Sequence, residues 1–278
     1  MKNLFFSFLK EFLFALGVCW LLLKLTDFFF HDRFIWLNSI TMFWRVLLVS
    51  AIYSIIINWP WKKIRYRIGG IDTFISIQYG DILKINNNLV ISTNNFFTTD
   101  PSLISSKSLL GQFISKYYAG DSSIITHKVQ DALHSLPPGQ TINVNIRNNI
   151  SYPIGSVISF VGVENKHIFL MATTNIHYDK GNAIIHSEPS FLLKALDNLW
   201  KKVETTIDDQ VLTMPPVGSG ISHSFKRTSD AIFFIAQSFA NRAKEKRPCS
   251  ELKIYVRKND LNFYEYQELR DGIRFLVK

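Results

Sequence analysis

Three short segments carry groups suited to gripping a polar, anionic small molecule. Tyr79-Gly80-Asp81-Ile82-Leu83 follows an apolar run, and its glycine permits a sharp turn that leaves a carboxylate beyond a strand end. That carboxylate can accept hydrogen bonds, a base amino group among their donors. Val90-Ile91-Ser92-Thr93-Asn94-Asn95 puts two amides at another strand terminus, where they can hold hydroxyls or close an Asx turn. Val211-Leu212-Thr213-Met214-Pro215-Pro216-Val217-Gly218-Ser219-Gly220-Ile221 runs from an apolar strand into a Gly-Ser-Gly loop ahead of a helical segment. Glycines let backbone N–H groups approach an anion, the helix adds its dipole, and Ser219 is a further donor. Each segment alone also has an ordinary structural explanation, as a turn or a strand-to-helix connection.

Other chemistries find little support. The seven histidines show no metal-ligand spacing, and His127 and His134 fit one helix face. No Gly-x-Ser-x-Gly elbow or Walker loop occurs, so neither a catalytic residue set nor a metal site is assigned. Cys19 lies in an apolar run and Cys249 far from it, which leaves no disulfide framework and suggests a reducing compartment. His223, Lys226 and Arg227 follow the glycine loop, facing either phosphate or solvent.

The elements that must position these groups read as alternating α and β. Strands are expected at Ile71–Ile77, Leu89–Thr93, Ile142–Ile146, Val157–Val161, Ile168–Thr173, Gln210–Met214 and Glu251–Val256. Helices are expected at Ser108–Tyr118, Ser123–Leu136, Ser190–Glu204, Phe225–Ala243 and after Leu261. The sum predicts an α/β/α sandwich around a mixed sheet over residues 71–278.

The first 61 residues differ in kind. Apolar runs at about 4–25 and 36–59 are each long enough to cross a hydrocarbon core ~30 Å thick. No small-residue cleavage site follows the first, which argues against a signal peptide. Trp36, Trp59 and Trp61 suit a headgroup belt, and Arg45 inside the second run suggests snorkelling or a functional contact. The net charge of +9 raises nucleic acid as a partner, but its densest cluster, Lys62, Lys63, Arg65 and Arg67, directly follows the second run. Retention of positive charge on the cytoplasmic side explains it better, so 62–70 reads as a basic linker and no nucleic acid is expected. The expectation is a multi-pass membrane protein with its C-terminal domain cytoplasmic.

Together the three segments, in this order, resemble the macro domain, whose pattern runs Gly-Asp-Ile, an Asn-rich strand end and Pro-x-x-Gly-Thr/Ser-Gly-Ile. The resemblance implies a macro-like fold in which Asp81 and Ile82 meet adenine. It assigns Asn95 to the distal ribose, with Asn94 beside it among the ligand contacts, and Gly218, Ser219, Gly220 and Ile221 to the diphosphate. Pro153-Ile154-Gly155-Ser156-Val157 matches a segment ahead of a central strand, which adds Gly155, Ser156 and Val157 to the implied ligand contacts. Hydrolytic macro domains carry a triple-glycine loop after the Asn-rich strand. This chain has Phe96-Phe97-Thr98-Thr99-Asp100-Pro101 there, and Ser92 where the first Asn of the pair is usual. Binding without hydrolysis is therefore expected, with a membrane-anchored ADP-ribosyl hydrolase or a non-catalytic scaffold as alternatives.

With two apolar spans and the stretch Ser108-Leu109-Leu110-Gly111-Gln112-Phe113, the chain resembles the transmembrane-macro effectors of bacterial Thoeris anti-phage defence. That resemblance implies a signal made by a TIR-domain partner: an ADP-ribose conjugate, histidine-linked. It further implies homo-oligomerisation in the lipid bilayer, membrane disruption and cell death.

If the glycine loop cradles a diphosphate, Gly220→Glu abolishes binding. At ~4 Å and an effective dielectric of about 20, each pair of like charges costs about 4 kcal/mol, enough to remove micromolar affinity. Calorimetry paired with thermal unfolding checks this; a folded variant of unchanged affinity refutes the cradle.

Overall fold

The computed structural model describes residues 2–29, 40–58, 63–84, 86–101, 103–137, 139–141, 150–179, 182–219, 224–257, 260–261 and 263–278. The chain divides into two compact units, residues 1–61 with 262–264, and residues 62–261 with 265–278.

In the first unit α1 (Lys2–Phe29) and α2 (Ile40–Asn58) form a hairpin. Val46, Ser50 and Ser54 recur every four residues and so share one helix face, which is buried together with Ala15 of α1. The Ser54 hydroxyl donates to the Phe8 carbonyl at 2.7 Å, pairing the end of α2 with the start of α1. Outward the unit exposes Leu13, Phe14, Leu21, Leu22, Trp44 and Leu48, a surface that suits lipid better than water. Phe8–Phe29 has a mean hydropathy of 1.8 and is long and apolar enough to cross a membrane. The apolar stretch of α2, Ile40–Ile56, is shorter. Residues 36–39 and 59 of the expected second span lie outside the described residues.

The second unit contains β1 (Lys63–Arg67), β2 (Phe74–Tyr79), β3 (Asn88–Asn94), α3 (Leu109–Tyr117), α4 (Ser123–Leu133), β4 (Gln140–Thr141), β5 (Ile150–Ser151), β6 (Val157–Val161), β7 (His167–Asp179), β8 (Asn182–His186), α5 (Pro189–Thr206), β9 (Val211–Met214), α6 (Thr228–Glu245), β10 (Glu251–Val256) and α7 (Phe263–Leu276). The main sheet has the order β1-β2-β10-β9-β3-β7-β6, with β8 paired to the extension of β7. The central strands β2, β10, β9, β3 and β7 are parallel, while β1 and β6 pair antiparallel at the two sides. This is the expected α/β/α sandwich with a mixed sheet.

Residue parity explains the layers, because successive side chains of a strand point to opposite faces. Val90, Phe169 and Met171 face one core with Leu196, Leu199 and Trp200 of α5, Ile235 and Phe239 of α6, and Leu269 of α7. Leu89, Ile91, Ile168 and Leu170 face the other core with Phe113 of α3 and Val129 of α4. Both faces of β3 and β7 are thus covered, as apolar parallel strands require.

Two expectations need correction. Residues 63–67 are no linker but a strand, in register Lys63 to Gln78 and Arg67 to Phe74. Ile64 turns into the core while Lys63, Arg65 and Arg67 stay outside, a period of two that their charge obscured. The next strand then starts at Phe74 rather than Ile71, because Gly70, at φ +79°, lies in the turn between β1 and β2. The β7–β8 hairpin was not anticipated at all. The strand expected at Ile142–Ile146 lies outside the described residues.

Two buried carboxylates link elements distant in sequence. Burial alone would raise the Glu204 carboxyl, but hydrogen bonds from Arg242 and Lys246, with their charges, outweigh it and hold the group below its ordinary value. Glu251 behaves alike through Ser76 and Arg65. A depressed folded pKa contributes stability that is present above the ordinary carboxylate range and lost as pH falls through the folded value. The midpoint of thermal unfolding should therefore fall between about pH 5 and about pH 3, and Glu204→Gln should flatten that fall. An unchanged profile in the variant would show that the pair does not act this way.

Candidate functional site

Because five central strands are parallel, their carboxyl ends lie on one edge of the sheet, where loops of α/β folds gather ligands. Asp81 follows β2, Gly218 follows β9 and Asn94 ends β3, all on that edge. At ~4.8 Å per strand the ends of β2 and β3, separated by β10 and β9, are ~14 Å apart, with the glycine loop between them. Residues far apart in sequence thus form one row: carboxylate, glycine loop, amide.

Asp81 is exposed, and its Oδ1 accepts from the Leu83 N–H at 3.0 Å, starting a 3-10 turn at Ile82–Lys84. Ile82 is half-buried and packs on the second core. Beneath them Tyr79 stacks on Tyr266 of α7, with centroids 5.8 Å apart, and burial followed by the charges of Tyr266 and Glu265 pushes its hydroxyl pKa up to about 12.

Asn94 and Asn95 have different duties. Asn94 Oδ1 accepts from the N–H groups of Phe96 and Thr98, at 3.0 and 3.4 Å, in an Asx turn. No described residue bonds its Nδ2. Asn95 is only 2% exposed and fully engaged: Nδ2 donates to Ser151 Oγ at 2.8 Å and the Ile176 carbonyl at 3.1 Å, while Oδ1 accepts from the Ile176 N–H at 2.8 Å. It staples β3 to the base of the β7–β8 hairpin, so its amide is already taken by the protein. A register shift against β7 between Thr93 and Asn94 separates the two roles.

The glycine loop is closed on itself over its described part. Gly218 holds φ +95°, and a Cβ there would come within 2.9 Å of Phe225. Ser219 directs both its N–H, at 3.4 Å, and its hydroxyl, at 2.8 Å, to the Pro216 carbonyl, so the hydroxyl expected to face an anion is turned inward. Gly220, Ile221 and His223 lie outside the described residues.

Val157 starts β6, and Gly155 and Ser156 form the turn just ahead of it. Gly155 N–H donates to the Ala172 carbonyl at 2.9 Å, its own carbonyl accepts from Asn198 Nδ2 at 2.9 Å, and its φ of +90° lets α5 pack close. Ser156 bonds Pro153 and Ala172 through its backbone, and Val157 is buried in the first core. The Gly155 and Ser156 N–H groups that the resemblance would give to a ligand are thus taken by the Ala172 and Pro153 carbonyls.

The loop after β3 stands out in the sequence for its lack of glycines, but neither its conformation nor the cavity beside it is legible there. Phe97 is buried with φ +49°, a left-handed conformation rare for a bulky residue, and its ring packs edge-on against Tyr152. Beside it a cavity of about 90 Å³ is lined by Thr98, Thr99, Asp100, Thr126 and Gln130 among others. The Asx turn of Asn94 leads directly into this wall. Among the described residues no group of three metal-binding side chains occurs, and burial pushes the Cys249 thiol up to about 12, which makes it inert.

A mixed α/β sandwich with a carboxylate, a glycine loop and an Asn-rich turn in a row on its carboxyl edge defines a macrodomain. Solved structures agree on the fold. The Oceanobacillus iheyensis macrodomain with ADP is 15% identical, covers 77% of this chain and 96% of its own, and superposes with a TM-score of 0.51. The same macrodomain with MES bound is 14% identical, with 77% and 97% covered and a TM-score of 0.50. No curated protein sequence matches. The family described as Thoeris protein ThsA, Macro domain, matches residues 75–257, well over half of the chain, and the chain belongs to that family.

Replacing Asn95 by Ala should lower stability by about 3 kcal/mol, since it leaves buried partners unsatisfied, while Asn94→Ala should cost about 1 kcal/mol. Denaturant unfolding of the full chain in detergent measures both. Equal losses would contradict the division of labour between the two amides.

Proposed function

We propose that this protein is a membrane-anchored sensor whose macro unit binds an ADP-ribose-containing signal and does not hydrolyse it. The row formed by Asp81, Gly218 and Asn94 carries the reading, because its order and ~14 Å span suit a ligand with a base at one end, a diphosphate in the middle and a ribose at the other. Asp81 accepts from the adenine amino group, backbone N–H groups of the glycine loop meet the diphosphate, and Asn94 Nδ2 holds the distal ribose. The cavity behind the Asn94 turn has room for a small group attached to that ribose, such as the imidazole of a histidine conjugate, with Asp100 and Gln130 as polar contacts. The ADP in the Oceanobacillus macrodomain structure is consistent with such a ligand.

Retention without turnover follows from the loop after β3. Where hydrolytic macro domains have glycines, Phe97 is locked in the core, so the loop lacks the freedom to position an attacking water. The biological reading is a defence effector: a TIR-domain partner supplies the signal, the occupied macro units favour oligomers, and the apolar helices gather and disrupt the inner membrane. A ligand drives this only through different affinities for the two assembly states.

Calorimetry of the full chain in detergent, with ADP-ribose and its histidine conjugate, tests the binding, and chromatography of the incubated ligand tests turnover. Binding is expected with the conjugate intact. Asp81→Ala should weaken affinity by about tenfold or more, since a hydrogen bond to a charged group contributes about 1.5–3 kcal/mol. Release of free ADP-ribose over many turnovers would favour a hydrolase instead, and no heat with either ligand would leave the binding reading without support.

A further inference from the structure

Among the described residues the two cores cover one face of the sheet across its width, but the opposite face only at β3, β7 and β6. Over β1, β2 and β10 that second face carries charged and polar side chains around the rings of Phe74 and Tyr255. The pairings Lys63 to Gln78, Arg65 to Ser76 and Ser76 to Lys253 put these side chains on one side, because directly paired residues share a face. There the Glu251 carboxylate, itself buried, gathers three cations: Arg65 at 3.1 Å, Lys253 at 3.9 Å and Lys63 at 4.0 Å. It also accepts from Ser76 Oγ.

One carboxylate cannot neutralise three cations. The arrangement leaves surplus positive charge fixed in place, and the side chains of Lys63 and Arg65 remain 43% and 44% exposed. Arg65 cannot fold away, since its guanidinium lies 3.7 Å from the centroid of the Phe74 ring as well as against Glu251. Arg67 extends the same row of β1, with Asp72 as a partner at 3.5 Å that is itself 71% exposed. A fixed cluster of this kind is a receptor for anions.

The position of β1 in the chain selects the anion. Four residues separate Asn58 at the end of α2 from Lys63, a tether of at most ~18 Å. We infer that the β1–β2–β10 face is a docking surface for anionic lipid headgroups, which hold the macro unit on the bilayer that carries the helices. This inference rests on the membrane-anchored reading above. Lipid phosphates supply the charge that Glu251 leaves unmatched, and each Lys or Arg near an anionic surface strengthens attachment about fivefold.

The test uses the full chain in nanodiscs of phosphatidylcholine, alone or with phosphatidylglycerol, read by amide hydrogen exchange of residues 63–67 and 251–256. Anionic discs should slow exchange there by about tenfold, and salt at about 1 M should reverse the effect. The combined variant Lys63→Gln, Arg67→Gln and Lys253→Gln, which keeps the Arg65–Glu251 pair, should lose the protection, while Lys63→Arg with Lys253→Arg should retain it. Equal exchange of the unmodified chain in both kinds of disc overturns the proposal. So does protection produced in neutral discs by inorganic phosphate alone, which would make the face a site for free anions. Flotation with neutral vesicles reports separately whether the helices anchor the chain, so failure of the anchored reading is distinguishable from failure of lipid docking.

Discussion

Two buried amides hold β3 in place, and the carboxyl edge of the sheet keeps its alignment because they do. At its start Asn88 donates to Gln210 Oε1 and the Val211 carbonyl while accepting from the His167 N–H, which locks β3 between β9 and β7. At its end Asn95 performs the same service toward Ser151 and Ile176. A buried amide left unpaired is costly, so each satisfied Asn fixes the register of its neighbours as well as stabilising them. Slippage by one residue would exchange Val90 with Leu89 and Ile91 between the two cores, and the carboxyl ends of β9 and β3 would no longer align.

This scaffold explains why the loop after β3 tolerates a strained residue. Phe97 keeps a left-handed φ because its ring is buried beside Tyr152 and because Asn94 bonds the backbone on either side of it. Strain of order 1–3 kcal/mol persists where the surroundings over-determine it. The same packing shapes the wall of the neighbouring cavity, so a substitution in the core would be felt at the candidate site.

At the opposite side of the sheet β1 is held by the same kind of long-range pairing. β1 is the first element after the apolar hairpin, yet its Ile64 belongs to the core of the macro unit and its cations share the buried Glu251 of β10. β1 is therefore an integral strand of the macro unit. Lys63 lies opposite Gln78, three residues before Asp81, so this strand begins beside the carboxyl edge of the sheet.

The sequence by itself determined the alternation of α and β, most strand and helix positions, the apolar character of α1, and the three segments that meet at the edge. These follow from periodicity and local turn chemistry, which act over a few residues. It misjudged 63–67, because alternation within a charged segment indicates a strand only once β2 is there to pair with it. It gave Asn95 and Gly155 to a ligand, and their side-chain and backbone groups turned out to be engaged by Ile176, Ser151, Ala172 and Asn198, up to 81 positions away. Tertiary structure alone decided such roles, since a hydrogen-bonding group serves whichever partner folding brings within about 3 Å. Residue type states what a group can do, and the long-range packing of β3, β7 and β9 states which groups remain free to do it.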